Sequence, residues 1–294
     1  MSGPLPGPVT VPDIVRKKER GEKIVMLTAY DAPTARLLDS AGVDILLVGD
    51  SVGNVVLGYQ NTLPVTMDEM VHHTRAVVRG ASRCLVVADM PYLSYHLGVP
   101  ESVRNAGRFV QEGGARAVKV EGGRKRAEVI RALREAEIPV MGHVGLTPQS
   151  VHDFGGFKVQ GKTGAAARAV LEDALAVEEA GVFAVVLEGI PAELAALITE
   201  RLAIPTIGIG AGPGCDGQVL VIHDLLGISP DPVPSFVRKY ADLGTAIREA
   251  CIRFGADVRS GSFPAEGESY HLKPEVLDEL RAGLERFARR HWRS

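Results

Sequence analysis

Four short apolar runs in this chain each end in a single acid: Asp44-Ile-Leu-Leu-Val-Gly-Asp50, Cys84-Leu-Val-Val-Ala-Asp89, Ala117-Val-Lys-Val-Glu121 and Phe183-Ala-Val-Val-Leu-Glu188. Each run is rich in aliphatic and β-branched residues, too short for a helix and flanked by helix-like sequence. Each therefore reads as a buried parallel strand. A carboxylate fits the core poorly, because an unpaired buried charge is either very costly or neutralises itself. Four acids at equivalent positions point to strand ends converging on one site, where a cation or a substrate offsets that cost. In a parallel α/β barrel the carboxyl ends of the strands face the active site.

Working outward, the strand pattern recurs at 24–28, 45–48, 85–88, 117–120, 139–143, 184–187, 206–209 and, more weakly, 219–222. Helical stretches at 32–40, 66–79, 100–112, 125–136, 165–179 and 192–201 lie between the strands, several closed by a turn glycine. A further helix at 13–20, capped by Thr10 and stopped by Gly21, precedes them. This alternation favours a closed (β/α)8 barrel over an open doubly wound sheet. The expected organisation is a leader at 1–9, one barrel domain at 10–271 and a C-terminal tail helix at 272–294. A last barrel helix is expected at 236–254. In the tail, Leu277, Leu280, Leu284, Phe287 and His291 recur at helical spacing. Packing on the barrel or a neighbouring subunit and a solvated tail both fit that pattern.

The chain has 294 residues, 46% hydrophobic and 23% charged, with net charge −3 and scattered basic residues. That balance argues against nucleic acid or an anionic membrane as principal partner. The cysteines Cys84, Cys215 and Cys251 show no paired spacing, as expected in a reducing cytoplasm. No apolar stretch approaches the roughly 20 residues of a membrane span, and the N-terminus lacks signal-peptide features. A cytoplasmic location is the expectation.

Asp50, Asp89 and Glu121 end three successive strands and would sit side by side on a barrel rim. Three oxygen ligands without Cys or His suit Mg²⁺; helix capping or pairing with arginine is the alternative. Lys119, two residues before Glu121, leaves the same strand face. It would meet either a substrate anion or its neighbouring acid. His143, in Gly142-His-Val-Gly-Leu-Thr-Pro-Gln149, could donate to a substrate oxygen or a carboxylate, or be structural. Glu188 stands away from the trio; a lone acid in an apolar pocket can act as general acid or base, and capping the next helix is the alternative. The glycine-rich run Ile207–Gly217 lacks a GxxxxGK[ST] triphosphate cradle and only weakly matches a dinucleotide fingerprint, so tight turns at the barrel mouth are the preferred reading.

These residues carry a resemblance to the ketopantoate hydroxymethyltransferase family over about residues 12 to 271. The segments are Thr28-Ala-Tyr-Asp31, Leu47-Val-Gly-Asp-Ser51, Leu63-Pro-Val-Thr66, Ala88-Asp-Met-Pro91 and Val118-Lys-Val-Glu-Gly-Gly123. Gly142–Gln149, Gly155–Gly161, Leu187-Glu188, Ile207–Gly212 and Asp216-Gly-Gln218 continue the pattern. The resemblance implies a (β/α)8 TIM barrel of the phosphoenolpyruvate/pyruvate type. It also implies hydroxymethyl transfer from 5,10-methylenetetrahydrofolate, the co-substrate, to 3-methyl-2-oxobutanoate. The product would be ketopantoate (2-dehydropantoate), for pantothenate and coenzyme A synthesis. By the same resemblance Asp50, Asp89 and Glu121 match the site of one Mg²⁺ per subunit. Asp50, Ser51, Asp89 and Lys119 match the keto-acid site, Glu188 matches the proton acceptor, and a homo-oligomer, often a decamer, is implied. The chain departs from the pattern in running past His271 and in Gly189, where a larger residue is usual. A folate-independent Mg²⁺-enolate lyase and a non-catalytic keto-acid-binding barrel are the competing readings.

Overall fold

The computed structural model describes residues 7–156, 158–229 and 232–291. Residues 1–6 of the expected leader, Phe157 and the last three tail residues lie outside the described residues. Two compact units result, Met1–Ala241 and Asp242–Ser294.

The first unit is a closed barrel of eight parallel strands in sequential order, with β8 pairing back to β1. The strands are β1 Ile24–Thr28, β2 Ile45–Val48, β3 Leu85–Asp89, β4 Ala117–Glu121, β5 Val140–Gly145, β6 Ala184–Glu188, β7 Thr206–Ile209 and β8 Gly217–Leu220. Its helices are α1 Val11–Glu19, α2 Ala32–Ser40, α3 Val52–Val55, α4 Met67–Gly80, α5 Val99–Gln111, α6 Ala127–Glu135, α7 Val151–Phe154, α8 Gly164–Glu179, α9 Ala192–Arg201 and α10 Ile222–Leu225. Short polar residues start several of them. Thr10 opens α1 and Thr66 opens α4 in reciprocal boxes with Asp13 and Glu69, while Asp31 and Thr163 cap α2 and α8.

Apolar side chains form two layers. Inward-facing residues of alternate strand positions, among them Met26, Leu47, Val87, Ala117, Met141 and Val186, fill the barrel interior. Outward-facing ones such as Leu46, Val86, Val118 and Val185 pack under the helices. On α5, Ser102, Asn105, Ala106 and Phe109 share the buried face. Phe109 is fully buried, so truncating it to alanine costs about 3–5 kcal/mol. α1 lies across the N-terminal strand ends: Ile14 is fully buried, Lys17 meets Asp44 at 3.2 Å and Lys18 meets Asp216 at 2.9 Å. That mouth is closed, which leaves the carboxyl ends for chemistry.

Beyond the short helices α3, α7 and α10, which the sequence pattern did not mark, the observed elements differ from it in three places. β8 begins at Gly217, not at 219, because it pairs with Ile24 at a close approach where a Cβ would sit 2.5 Å from the Ile24 carbonyl oxygen. The stretch 125–136 divides into a 3₁₀ turn, Arg124–Arg126, and α6. The helix expected at 236–254 is α11, Leu243–Ser260; Asp242 caps it through the Thr245 N–H, and 236–241 is irregular. In the second unit α11 ends at Gly261 in the left-handed region, φ 74°, and α12 Pro274–His291 follows. None of the α11 residues is buried, and Leu277, Leu280 and Leu284 of α12 are exposed.

Candidate active site

The acids that end the strand runs meet at the carboxyl end of the barrel. Asp89, Glu121 and Glu188 are the last residues of β3, β4 and the last of β6, while Asp50 lies two residues beyond β2. Asp50, Asp89 and Glu121 are buried, and one carboxylate oxygen of each lies within 4.8 Å of the others. Register explains the convergence: Asp89 is level with Lys119, Glu121 with His143, and Glu188 with Gly145. All of these side chains except Gly145 line one cavity of about 110 Å³, together with Ser51.

Lys119 is buried and threads between the acids, its Nζ 2.9 Å from Asp89 Oδ1 and 3.4 Å from Glu121 Oε1. The expectation that it shares a face with Glu121 is met. His143 bridges the cluster and Glu188: Nδ1 lies 3.3 Å from Glu121 Oε1, and Nε2 lies 3.2 Å from Glu188 Oε2. Glu188 is thus not isolated, as its position in the sequence implied. Ser51 Oγ is 2.8 Å from the buried Tyr30 hydroxyl.

The charges are unevenly matched. Burial, then the charges of Asp89 and Glu121, push the Asp50 carboxyl well above its ordinary range. Burial also raises Asp89, against the attraction of Lys119. At Glu121 burial is outweighed by Lys119 and His143, which hold it down to about 2. His143 is lowered by burial and by Lys119, yet its contacts with Glu121 and Glu188 prevail and raise it to about 9. Asp89 Oδ1 is a buried oxygen with the Lys119 ammonium 2.9 Å away. Three converging buried carboxylates suit a hard divalent cation, which would favour their ionised forms. The residues fit such an ion.

Two residues that the sequence reading did not assign complete the cluster. Gln149, in the 3₁₀ turn Pro148–Ser150, bonds to Asp50 and Glu121, and Tyr95 bonds to Gln149. Gln149 ends one of the segments that carry the family resemblance, but neither residue carries a charge that marks it as part of the site. Gly189 adopts φ +55°, and a Cβ there would meet Leu146 at 3.1 Å. The backbone at that point suits glycine.

Comparison with known proteins follows the same line. The family model described as ketopantoate hydroxymethyltransferase matches residues 8–266. The 3-methyl-2-oxobutanoate hydroxymethyltransferase of Syntrophomonas wolfei is 58% identical over 272 residues, covering 92% of this chain and 99% of its own length. That of Trichlorobacter lovleyi is 60% identical over 262 residues, covering 89% and 98%. Among solved structures, a phosphonopyruvate hydrolase complex with oxalate and Mg²⁺ aligns with TM-score 0.58 at 12% identity, covering 97% of this chain and all of that one. A 2,3-dimethylmalate lyase of the PEP mutase/isocitrate lyase superfamily aligns at 0.57 with 18% identity, covering 97% and 99%. At such identities these two speak to the barrel fold alone. The family match over nearly the whole barrel, and relatives at this identity over almost their full length, show that the chain belongs to the ketopantoate hydroxymethyltransferase family and is an enzyme of that kind.

Proposed function

We propose that the chain joins the methylene carbon of 5,10-methylenetetrahydrofolate to C3 of 3-methyl-2-oxobutanoate at a Mg²⁺-dependent site; one water supplies the new hydroxyl, tetrahydrofolate leaves and ketopantoate forms. The observation that carries this reading is the buried cluster of Asp50, Asp89 and Glu121 around the Lys119 ammonium. Asp50, Asp89 and Glu121 would hold the metal. When bound, Mg²⁺ supplies a Lewis acid for the negative charge that develops on the keto oxygen as the C3 proton leaves.

The chain's own residues do the rest. Lys119, held above the ordinary lysine range by Asp89 and Glu121 despite its burial, remains an ammonium. It offers a fixed positive charge to the substrate carboxylate, and Ser51, anchored by Tyr30, offers a hydroxyl beside it. Glu188 moves a proton at C3 or at the folate nitrogen. His143 holds the Glu188 carboxylate in place and links it to Glu121. The 110 Å³ cavity suits a small keto acid.

A homo-oligomer is part of the proposal. The outward-facing Val25 of β1 is 49% exposed and the second unit carries apolar residues in the open, surfaces that further copies of the chain would cover. Among the described residues no helix is long and apolar enough to cross a membrane. The test is an assay for loss of 3-methyl-2-oxobutanoate with and without methylenetetrahydrofolate. Folate-dependent loss with ketopantoate as product is expected. Loss without folate would instead favour a carbon-skeleton lyase.

A further inference from the structure

Gln149 is an uncharged residue in the middle of the acid cluster, and every one of its polar contacts there is specified. It is 7% exposed. Its backbone N–H donates to Glu121 Oε2 at 3.1 Å, and its Nε2 donates to Asp50 Oδ2 at 2.9 Å and to the Met90 carbonyl at 3.0 Å. Its Oε1 accepts from the Tyr95 hydroxyl at 2.6 Å. The two ends of an amide side chain are told apart only by their partners. Here the Met90 carbonyl can only accept, so the nitrogen must face it, and the oxygen is left for Tyr95. Tyr95 is 1% exposed and has the Arg126 guanidinium over its ring, 5.4 Å from the centroid, and its hydroxyl holds the amide oxygen.

We propose that Gln149, oriented by Tyr95, is a positioning residue of the metal site: its side-chain amide holds one oxygen of Asp50 and its backbone N–H one oxygen of Glu121, which fixes the two carboxylates about the place a cation would take. This inference rests on the metal reading of the cluster. Three carboxylates this close repel one another in a buried setting, and without donors behind them they would splay apart or take up protons. Gln149 supplies one donor to each of two acids that reach the site from different strands. It leaves the Asp89 oxygens to other groups: Oδ1 lies 2.9 Å from Lys119 Nζ, and Oδ2 accepts from the Asp50 N–H at 3.3 Å. A charged donor at the same place would compete for the carboxylates as Lys119 does. The neutral side-chain amide orients Asp50 and the backbone N–H orients Glu121, and both leave the carboxylates' charge for the metal.

The experiment measures Mn²⁺ binding by electron paramagnetic resonance, with Mg²⁺ as competitor, on the full chain and on Gln149→Met and Tyr95→Phe. Methionine keeps the volume and removes the amide. Phenylalanine leaves the amide and removes what orients it. Gln149→Met should weaken Mn²⁺ binding by about tenfold or more, the value of a lost hydrogen bond to a charged group. Tyr95→Phe should weaken it in the same direction by a smaller factor. For both variants, the KM for 3-methyl-2-oxobutanoate should rise at limiting metal and recover at saturating metal, a pattern that a general loss of stability does not produce. Wild-type Mn²⁺ affinity in both folded variants, or lowered thermal stability with affinity unchanged, would overturn the inference. If Gln149→Met does not fold, Tyr95→Phe decides by the same measure. Failure of the wild-type chain itself to bind Mn²⁺ would reject the metal reading and this inference with it, a result distinct from equal binding by all three proteins.

Discussion

His143 Nε2 lies 3.2 Å from Glu188 Oε2, so the acid that ends β6 is joined through one imidazole to the acid cluster at the ends of β2 to β4. The contact leaves the Glu188 carboxylate facing the cavity. In the proposed reaction this is the group that moves a proton.

Replacing Glu188 by glutamine keeps the shape and the contact with His143 but removes the proton acceptor. The expected result is a fall in kcat of about 10²–10⁴-fold, with modest change in KM. Exchange of the C3 hydrogen of 3-methyl-2-oxobutanoate into deuterated water, without folate, locates the step. If Glu188 removes that hydrogen, exchange falls with turnover. Persistent exchange with collapsed turnover would assign Glu188 to the folate half of the reaction, and near wild-type values for both would remove it from the mechanism.

Replacing Lys119 by methionine leaves Asp89 and Glu121 without their central cation. Breaking a buried pair in this way costs about 3–5 kcal/mol of stability. The variant should also show a raised KM for the keto acid, whose carboxylate loses its partner. Saturating Mg²⁺ should restore part of the thermal stability by supplying positive charge to the same acids. Lower stability with unchanged kinetics would make Lys119 a structural ion-pair partner only.

Asp39, at the end of α2, provides a pH test remote from the cluster. It accepts from the backbone N–H groups of Ser82, Arg83 and Cys84, tying α2 to the start of β3. Burial acts to raise it, but these donors, the Cys84 N–H foremost, hold it down from 3.8 to about 2. A depressed carboxyl stabilises the fold above its unfolded value and loses that contribution as pH falls through the folded one. Denaturant unfolding of wild type and Asp39→Asn should therefore differ by about 2 kcal/mol at neutral pH, and the difference should shrink between about pH 4 and pH 2. A difference that stays constant down to pH 2 would contradict this role.

Much of the fold was legible because its determinants are local. Eight apolar runs, the cap Thr10 and the turn glycines read directly as alternating strands and helices. The start of β8 at Gly217 was not legible, because it is set by register against β1. The placement of α11 turned on the Asp242 cap rather than on the apolar pattern upstream. At the site, Asp50, Asp89, Glu121 and Lys119 announce themselves as charges out of place in buried strands. Gln149 and Tyr95 do not, since a neutral amide and a buried phenol become informative only when their partners are known. The link between His143 and Glu188 spans neighbouring strands and needs the barrel to close before it can be seen.

Metal dependence tests the central claim most directly. Ketopantoate formation from 3-methyl-2-oxobutanoate and methylenetetrahydrofolate should be measured in chelator-treated buffer, after Mg²⁺ is returned, and with Asp89→Asn at the same Mg²⁺ concentration. The account predicts no product without metal, full recovery with Mg²⁺ and a large loss in Asp89→Asn that higher Mg²⁺ partly reverses. Undiminished turnover in metal-free buffer would contradict it.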